Sequence, residues 1–282
     1  MRLFLVPLVL LAAAFGQAAP PAGPFVGFDR NLYPGDERLA GLRQHFDFAG
    51  FWITPPPGET INTWTGKRPQ LLRAGFGFLI LANGRLDAQI KAAQIKGLKL
   101  SPAALGRKDA DAAIASARRE GFPPGAILFL DQEEGGRLLP EQADYLFAWT
   151  EAVAASPYKP GAYLSGQPNG DGTGPDGKPA FITTAQDVRE HIAADHLHDI
   201  TLWVYQDACP PAPGCTTRPP AFASSGTPGA SVWQYAQSPR RPELTRACAA
   251  TYAADNNCYA GASAGLYLDL DAATSVDPSH GR

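Results

Sequence analysis

The chain has 282 residues, with 24 basic and 27 acidic side chains and a formal charge of −3. With no basic block, that balance argues against a nucleic-acid partner. At 45% hydrophobic residues the chain can bury a large core, and an α/β barrel of about 250 residues folds as one unit.

Met1-Arg2 gives a short positive start, residues 3–15 form an apolar run, and Gly16-Gln-Ala18 offers small residues for cleavage. The run is too short to span a bilayer and reads as a secretory signal peptide over residues 1–18, cut after about Ala18. Pro20, Pro21 and Pro24 argue against a buried N-terminal helix and make residues 19–24 a short Pro-rich linker. Cleavage removes only Arg2 among the charged residues, leaving 23 basic against 27 acidic. No later segment is a transmembrane candidate, so the mature chain is expected to be secreted or periplasmic, with residues 25–282 as a single domain.

Within that domain, short apolar runs bounded by Gly or Pro predict strands at 25–29, 48–54, 76–82, 126–131, 161–165, 201–206, 231–235 and 266–270. Helical patterns lie between them. One covers 85–97, one begins near Asp109 and stops at Gly121, and Pro140 opens a third whose face is Ala143, Leu146, Phe147, Thr150 and Val153. Thr184 is placed to cap a fourth over Val188 and Ile192, and Pro242 opens a fifth. Residues 98–101 could add a strand. Eight strands with intervening helices predict an α/β fold, a (β/α)8 TIM-like barrel, with an open doubly wound sheet as the alternative. Residues 168–179 lack an apolar anchor and read as a mobile rim loop, with Asp171 and Asp176 as a weak case for calcium.

The four cysteines lie in the C-terminal third. Their even number and short separations suggest two local disulfides, Cys209–Cys215 with Cys248–Cys258 being one of three possible pairings. Zinc is disfavoured, since no Cys-x-x-Cys occurs, and neither a metal nor another cofactor is expected. His191, His196 and His198 cluster where a helix ends, a position that suits histidine for dipole reasons. Gly261-Ala-Ser263-Ala-Gly265 matches a nucleophile-elbow pattern but precedes a strand rather than a helix.

The chemistry-bearing motif is Asp131-Gln-Glu133, entered from the apolar run 127–130. Side chains two apart on a strand point the same way, so both acids project together at the strand's C-terminal end, where barrels place catalysis. Two near carboxylates disfavour double ionisation, and an acid beside a carboxylate is what glycosidic cleavage requires. Asp29 closes the first strand, Asp269 and Asp271 lie in the last, and the first and last strands of a closed barrel are neighbours. Trp52, Tyr163, Trp203, Tyr205, Trp233 and Tyr235 recur near strand ends, some as sugar-stacking faces and at least half as core.

Gly27-Phe-Asp29, Phe129-Leu-Asp-Gln-Glu133, Ala162-Tyr-Leu-Ser165, Leu202-Trp-Val204, Trp233-Gln-Tyr235 and Leu268-Asp-Leu270 occur in the order found in family 25 glycoside hydrolases, the lysozyme-type muramidases. With the helix start Gly106-Arg-Lys-Asp-Ala-Asp-Ala-Ala113, the chain more closely resembles the glycoside-hydrolase-like barrels called domain of unknown function 1906. The resemblance implies an exported glycosidase acting on a polysaccharide such as peptidoglycan. It makes Glu133 the proton donor, Asp131 and Asp29 its partner acids, and Tyr163, Trp203, Gln234, Tyr235 and Asp269 substrate-binding residues. Three features depart from the family 25 pattern: Glu134 directly follows Glu133, the last strand reads Asp269-Leu-Asp271 instead of Asp-x-Asn, and the strand before it lacks the usual polar turn and carries Cys248 and Cys258. The alternative is a catalytically silent glycan-binding barrel of the cell envelope.

Overall fold

A computed structural model describes residues 24–95, 100–207, 218–219, 221–239, 263 and 265–282. The signal peptide, most of the linker, the four cysteines, the helix expected from Pro242 and most of the Gly261–Gly265 loop lie outside the described residues.

Eight strands close a barrel in the order β1-β10-β9-β8-β5-β4-β3-β2. They are β1 (Phe25–Asp29), β2 (Phe48–Trp52), β3 (Gly77–Asn83), β4 (Ile127–Asp131), β5 (Lys159–Ser165), β8 (Thr201–Tyr205), β9 (Val232–Ala236) and β10 (Asp269–Ala273). The remaining two strands, β6 (Asn169–Thr173) and β7 (Pro179–Ile182), form a separate hairpin. The apolar runs became strands because both faces are covered: β2 and β4 are buried at every residue. The closed α/β barrel is therefore the observed fold.

One strand departs from the parallel pattern. β10 runs antiparallel to both β9 and β1. Its N-terminal residue, Asp269, thus pairs with the C-terminal residue of β1, Asp29, at the end of the barrel where Asp131 closes β4. The strand also begins three residues later than the apolar pattern suggested, because its register is set by β1, which pairs Phe25 with Ala273 and Asp29 with Asp269.

Helices α1 (Leu39–Leu42), α2 (Arg68–Ala74), α3 (Asp87–Ile95), α4 (Pro102–Glu120), α5 (Pro140–Ala154) and α6 (Thr184–Asp195) cover the outside. Helix α4 begins seven residues before Asp109, with the Ser101 side chain accepting from the Ala104 N–H at 3.2 Å, so residues 100–101 are a cap and not a strand. Thr183, not Thr184, caps α6 through the Gln186 N–H. His196 closes α6 with a left-handed backbone, while His198 pairs with Glu151 at 2.6 Å. No helix of the described residues is long and apolar enough to cross a membrane.

Small residues let the layers approach. A Cβ at Gly106 would fall on the Tyr145 carbonyl, so this glycine brings α4 against α5. Inside the barrel, a Cβ at Gly50 would come 2.5 Å from Asp29 Cβ and 3.2 Å from Leu81 Cδ1. Gly50 thus leaves the space that Asp29 occupies.

The segment 168–179 is not an unanchored loop. Gly177, at φ 76°, turns the hairpin, and the Asp176 carboxylate accepts from the Lys178 N–H. Arg137 donates to both Asp171 oxygens at 2.7 and 2.8 Å and also reaches Asp187 and Glu190 on α6. Asp171, considered above for calcium, is thus bound by a guanidinium.

Candidate active site

The acid motif begins as strand and ends as a tied turn. The pairing of β4 with β5 continues one residue past Asp131, with the Gln132 N–H donating to the Tyr163 carbonyl at 3.0 Å. The Glu133 carbonyl accepts from the Tyr205 hydroxyl at 2.8 Å, and Gly136, at φ 89°, turns the chain and accepts from the Thr184 hydroxyl. The Glu133 side chain is exposed and accepts no hydrogen bond from any described residue.

Glu134 is occupied differently. Its Oε2 accepts from the Asp87 N–H at 2.8 Å, at the start of α3, and from the Gln142 side-chain amide. A carboxylate at a helix N-terminus is favoured by the unpaired N–H groups there. Glu134 therefore holds α3 and α5 to the loop, and of the two adjacent glutamates only Glu133 lines the clefts described here.

Register aligns the other groups. Asn83 pairs with Asp131, Asp131 with Tyr163 and Tyr163 with Trp203, while Tyr205 pairs with Gln234. The cleft at the mouth is lined by Asp29, Asp131, Glu133, Tyr163, Trp203, Gln234 and Asp269, with Asn31, Trp52, Pro57 and Leu81. Seven of the eight expected site residues thus meet in one place. Tyr235 does not line it: it is 1% exposed, and neighbouring residues of a strand face opposite sides, so Gln234 takes the cleft side.

A second cleft shares Pro57, Asp131 and Glu133 with the first and adds Gly58, Asn83, Gly84, Arg85, Leu86 and Gln89. The two clefts hold about 100 and 130 Å³. Pockets that swallow a ligand are usually roughly 300–1,000 Å³, so a ligand would lie across this mouth and insert only a part into it.

Arg85, missed in the sequence, is fixed beside Glu133 by Asp109 of α4, with contacts of 2.5 and 2.9 Å, and the Tyr145 hydroxyl donates to the same carboxylate at 2.9 Å. Two residues of the Gly106-Arg-Lys-Asp109 motif thereby acquire structural reasons: Gly106 for helix contact and Asp109 for holding Arg85. Asn31 and Pro57 were missed as well. They join two loops through the Asn31 amide, which donates to the Pro57 carbonyl at 3.1 Å.

The floor of the cleft is a polar network inside the barrel. The Tyr163 hydroxyl and the Gln237 amide each donate to Gln234 Oε1 at 2.8 Å, and Gln234 Nε2 donates to Asp29 Oδ2 at 2.9 Å. Burial, then Asp131, Asp29 and Asp269, push the Tyr163 hydroxyl far above its ordinary value, so it remains a donor. Trp203 Nε1 donates to Asp271 Oδ1 at 3.0 Å. Burial, then the carboxylates of Asp29 and Asp269, raise Asp271 far above the carboxylate range.

Of the aromatics, Trp52, Tyr163, Trp203, Trp233 and Tyr235 are all buried, so core filling accounts for more of each ring than stacking would. Tyr163 packs on Trp203 with ring centroids 4.3 Å apart and on Tyr205 at 5.3 Å. Among the described residues no group of three or more His, Cys, Asp or Glu side chains is arranged to hold a metal ion.

Comparison with known proteins agrees with this architecture. No curated protein matches the sequence. An uncharacterized protein of B. stearothermophilus has the same fold at 19% identity, with 88% of this chain and 95% of that one aligned and a TM-score of 0.51. The Tat-secreted protein Rv2525c of Mycobacterium tuberculosis, crystallised with L-tartrate, aligns over 90% of this chain and 96% of its own at 12% identity, with a TM-score of 0.50. Residues 72–211 match the model of the Rv2525c-like, glycoside hydrolase-like domain, a span that includes Asp131, Glu133, Tyr163 and Trp203. Within its closed α/β barrel, residues 72–211 thus carry an Rv2525c-like, glycoside hydrolase-like domain.

Proposed function

We propose that the protein is an exported glycosidase that cleaves a polysaccharide of the peptidoglycan type, with Glu133 as the acid. One observation carries this reading: a solvent-facing carboxyl without a partner among the described residues opens onto the same cleft as Asp29, Asp131 and Asp269. Glycosidic cleavage needs a proton for the leaving oxygen and negative charge for an oxocarbenium-like state. Glu133 is accessible for the first task. Asp131 and Asp29, each 6% exposed, are placed for the second, or to orient an acetamido group of the substrate.

The two small clefts that share Pro57, Asp131 and Glu133 suit an extended chain laid across the mouth. Tyr163, Trp203, Gln234 and Asp269 line the part nearest the barrel axis and would contact the sugar at the cleavage point. Export rests on the reading of residues 1–18 as a signal peptide, and the Mycobacterium relative is a Tat-secreted protein.

Incubating the mature protein with purified cell wall and a panel of neutral, acidic and amino-sugar polysaccharides tests the proposal. New reducing ends from at least one of them support it. Binding without release supports the silent glycan-binding barrel instead, and neither binding nor release removes both.

A further inference from the structure

Asp271 stands where the family resemblance would have an asparagine, and it is fully buried. Its Oδ1 accepts the Trp203 indole N–H. As a carboxylate, its Oδ2 would be buried without a hydrogen bond, at a considerable desolvation cost. As a carboxylic acid, the same group becomes a donor, and the carboxylate beside it on the same face of the β1–β10 pair is Asp29, since Asp29 pairs with Asp269 two residues along the strand.

Among the described residues the surroundings favour the acid form. Asp29 on β1 and Asp269 on β10 are charged neighbours among these residues. Trp203 on β8 supplies a neutral donor, and Gln234 on β9, which pairs with Asp271 in register, spends its amide on Asp29. The Tyr235 hydroxyl on β9 is pushed upward by burial and then by Asp271, so it does not offer an ionised partner.

We propose that Asp271 is a positioning residue for Asp29: a neutral carboxyl that donates to Asp29 while accepting from Trp203. The Asp271 hydroxyl then adds a donor to Asp29 beside the Gln234 amide, which is bonded to Asp29 Oδ2. Asp271 does in protonated form what a side-chain amide does, and no proton leaves it during turnover. The role in catalysis rests on the glycosidase reading of the mouth; the protonation state does not.

The test uses the full mature chain with ¹³C-labelled aspartate carboxyls, as wild type, Asp271→Asn and Asp271→Ala, with Asp29→Asn to assign the Asp29 resonance. The resonance lost in Asp271→Asn is expected at the protonated position throughout the neutral range. The Asp29 resonance should be nearly unchanged in Asp271→Asn and shifted in Asp271→Ala. An Asp271 resonance at the ionised position overturns the proposal, as does an Asp29 resonance indifferent to Asp271→Ala. Should the alanine variant not fold, the asparagine variant alone still decides the protonation state.

On a substrate that the wild type cleaves, Asp271→Asn should keep kcat within about threefold, and Asp271→Ala should lose more than about tenfold in kcat at similar KM, the pattern of a lost transition-state interaction. Equal damage by both substitutions overturns the positioning role. A wild type that cleaves no glycan removes the glycosidase reading, and the carboxyl resonances then decide this inference by themselves.

Discussion

Gln234→Leu is the most informative single perturbation of the barrel interior. Leucine nearly conserves volume, so little of its effect comes from a void. The side chain is 2% exposed and makes three hydrogen bonds: it accepts from Tyr163 and Gln237 and donates to Asp29. Each buried polar group left unpaired costs about 1–3 kcal/mol, so stranding the Tyr163 hydroxyl and the Gln237 amide alone should remove roughly 2–6 kcal/mol of stability. For a chain of this size a loss of 1 kcal/mol lowers Tm by about 2–4 °C, which places the variant roughly 10 °C below the wild type.

Urea unfolding followed by tryptophan fluorescence measures the loss directly. Tyr163→Phe should cost less, since Gln237 still satisfies Gln234 Oε1. In the double variant the cost of Gln234→Leu should shrink, because the Tyr163 hydroxyl is no longer there to be stranded. A loss below about 1 kcal/mol for Gln234→Leu, or strict additivity with Tyr163→Phe, would refute the view that this network is a coupled unit.

Three further expectations follow from the same geometry. Gly50→Ala places a Cβ 2.5 Å from Asp29 Cβ and should cost about 1–3 kcal/mol by overpacking, with reducing-end release falling as Asp29 is displaced; unfolding and rate measurements on one preparation check both. Glu134→Gln weakens the bonds to Asp87 and Gln142 and should cost about 1 kcal/mol without a comparable loss of release, so a variant as inactive as Glu133→Gln would contradict the structural role given to Glu134. Asp271 should make stability fall as pH rises. Its folded-state carboxyl holds a proton that the unfolded chain gives up above about pH 4, so its contribution is full below that value and is lost toward its raised folded value, by at most about 1.4 kcal/mol per pH unit. Asp271→Asn should flatten that slope in unfolding titrations between pH 4 and neutrality, and an unchanged slope would rule out Asp271 as its source.

The barrel was legible because burial on both faces leaves continuous apolar runs, as in 127–130 and 77–82. The candidate site was legible because acids stand where two such strands stop, at Asp29 and Asp131. The errors have local causes. Naming both Gln234 and Tyr235 overlooked the two-residue period of a strand, which sends adjacent side chains to opposite faces. The late start of β10 reflects pairing with β1, which draws two aspartates into a strand that propensity disfavours. The hairpin at 169–182 is anchored by Arg137, more than thirty residues away from Asp171, and no local pattern reports such a bond. Arg85 was missed for the same reason, since its partner Asp109 lies on α4 and that carboxylate's further donor, Tyr145, on α5.

The central claim is that Glu133 gives its proton to a glycosidic oxygen. The most direct measurement is the initial rate of reducing-end release from purified cell wall by wild type and Glu133→Gln at equal concentration, both folded to the same Tm. A positioned general acid contributes about 10²–10⁴-fold, and the glutamine variant should lose a factor of that size. Equal rates from the two proteins would contradict the account, because the exposed carboxyl at the mouth would then have no part in the cleavage.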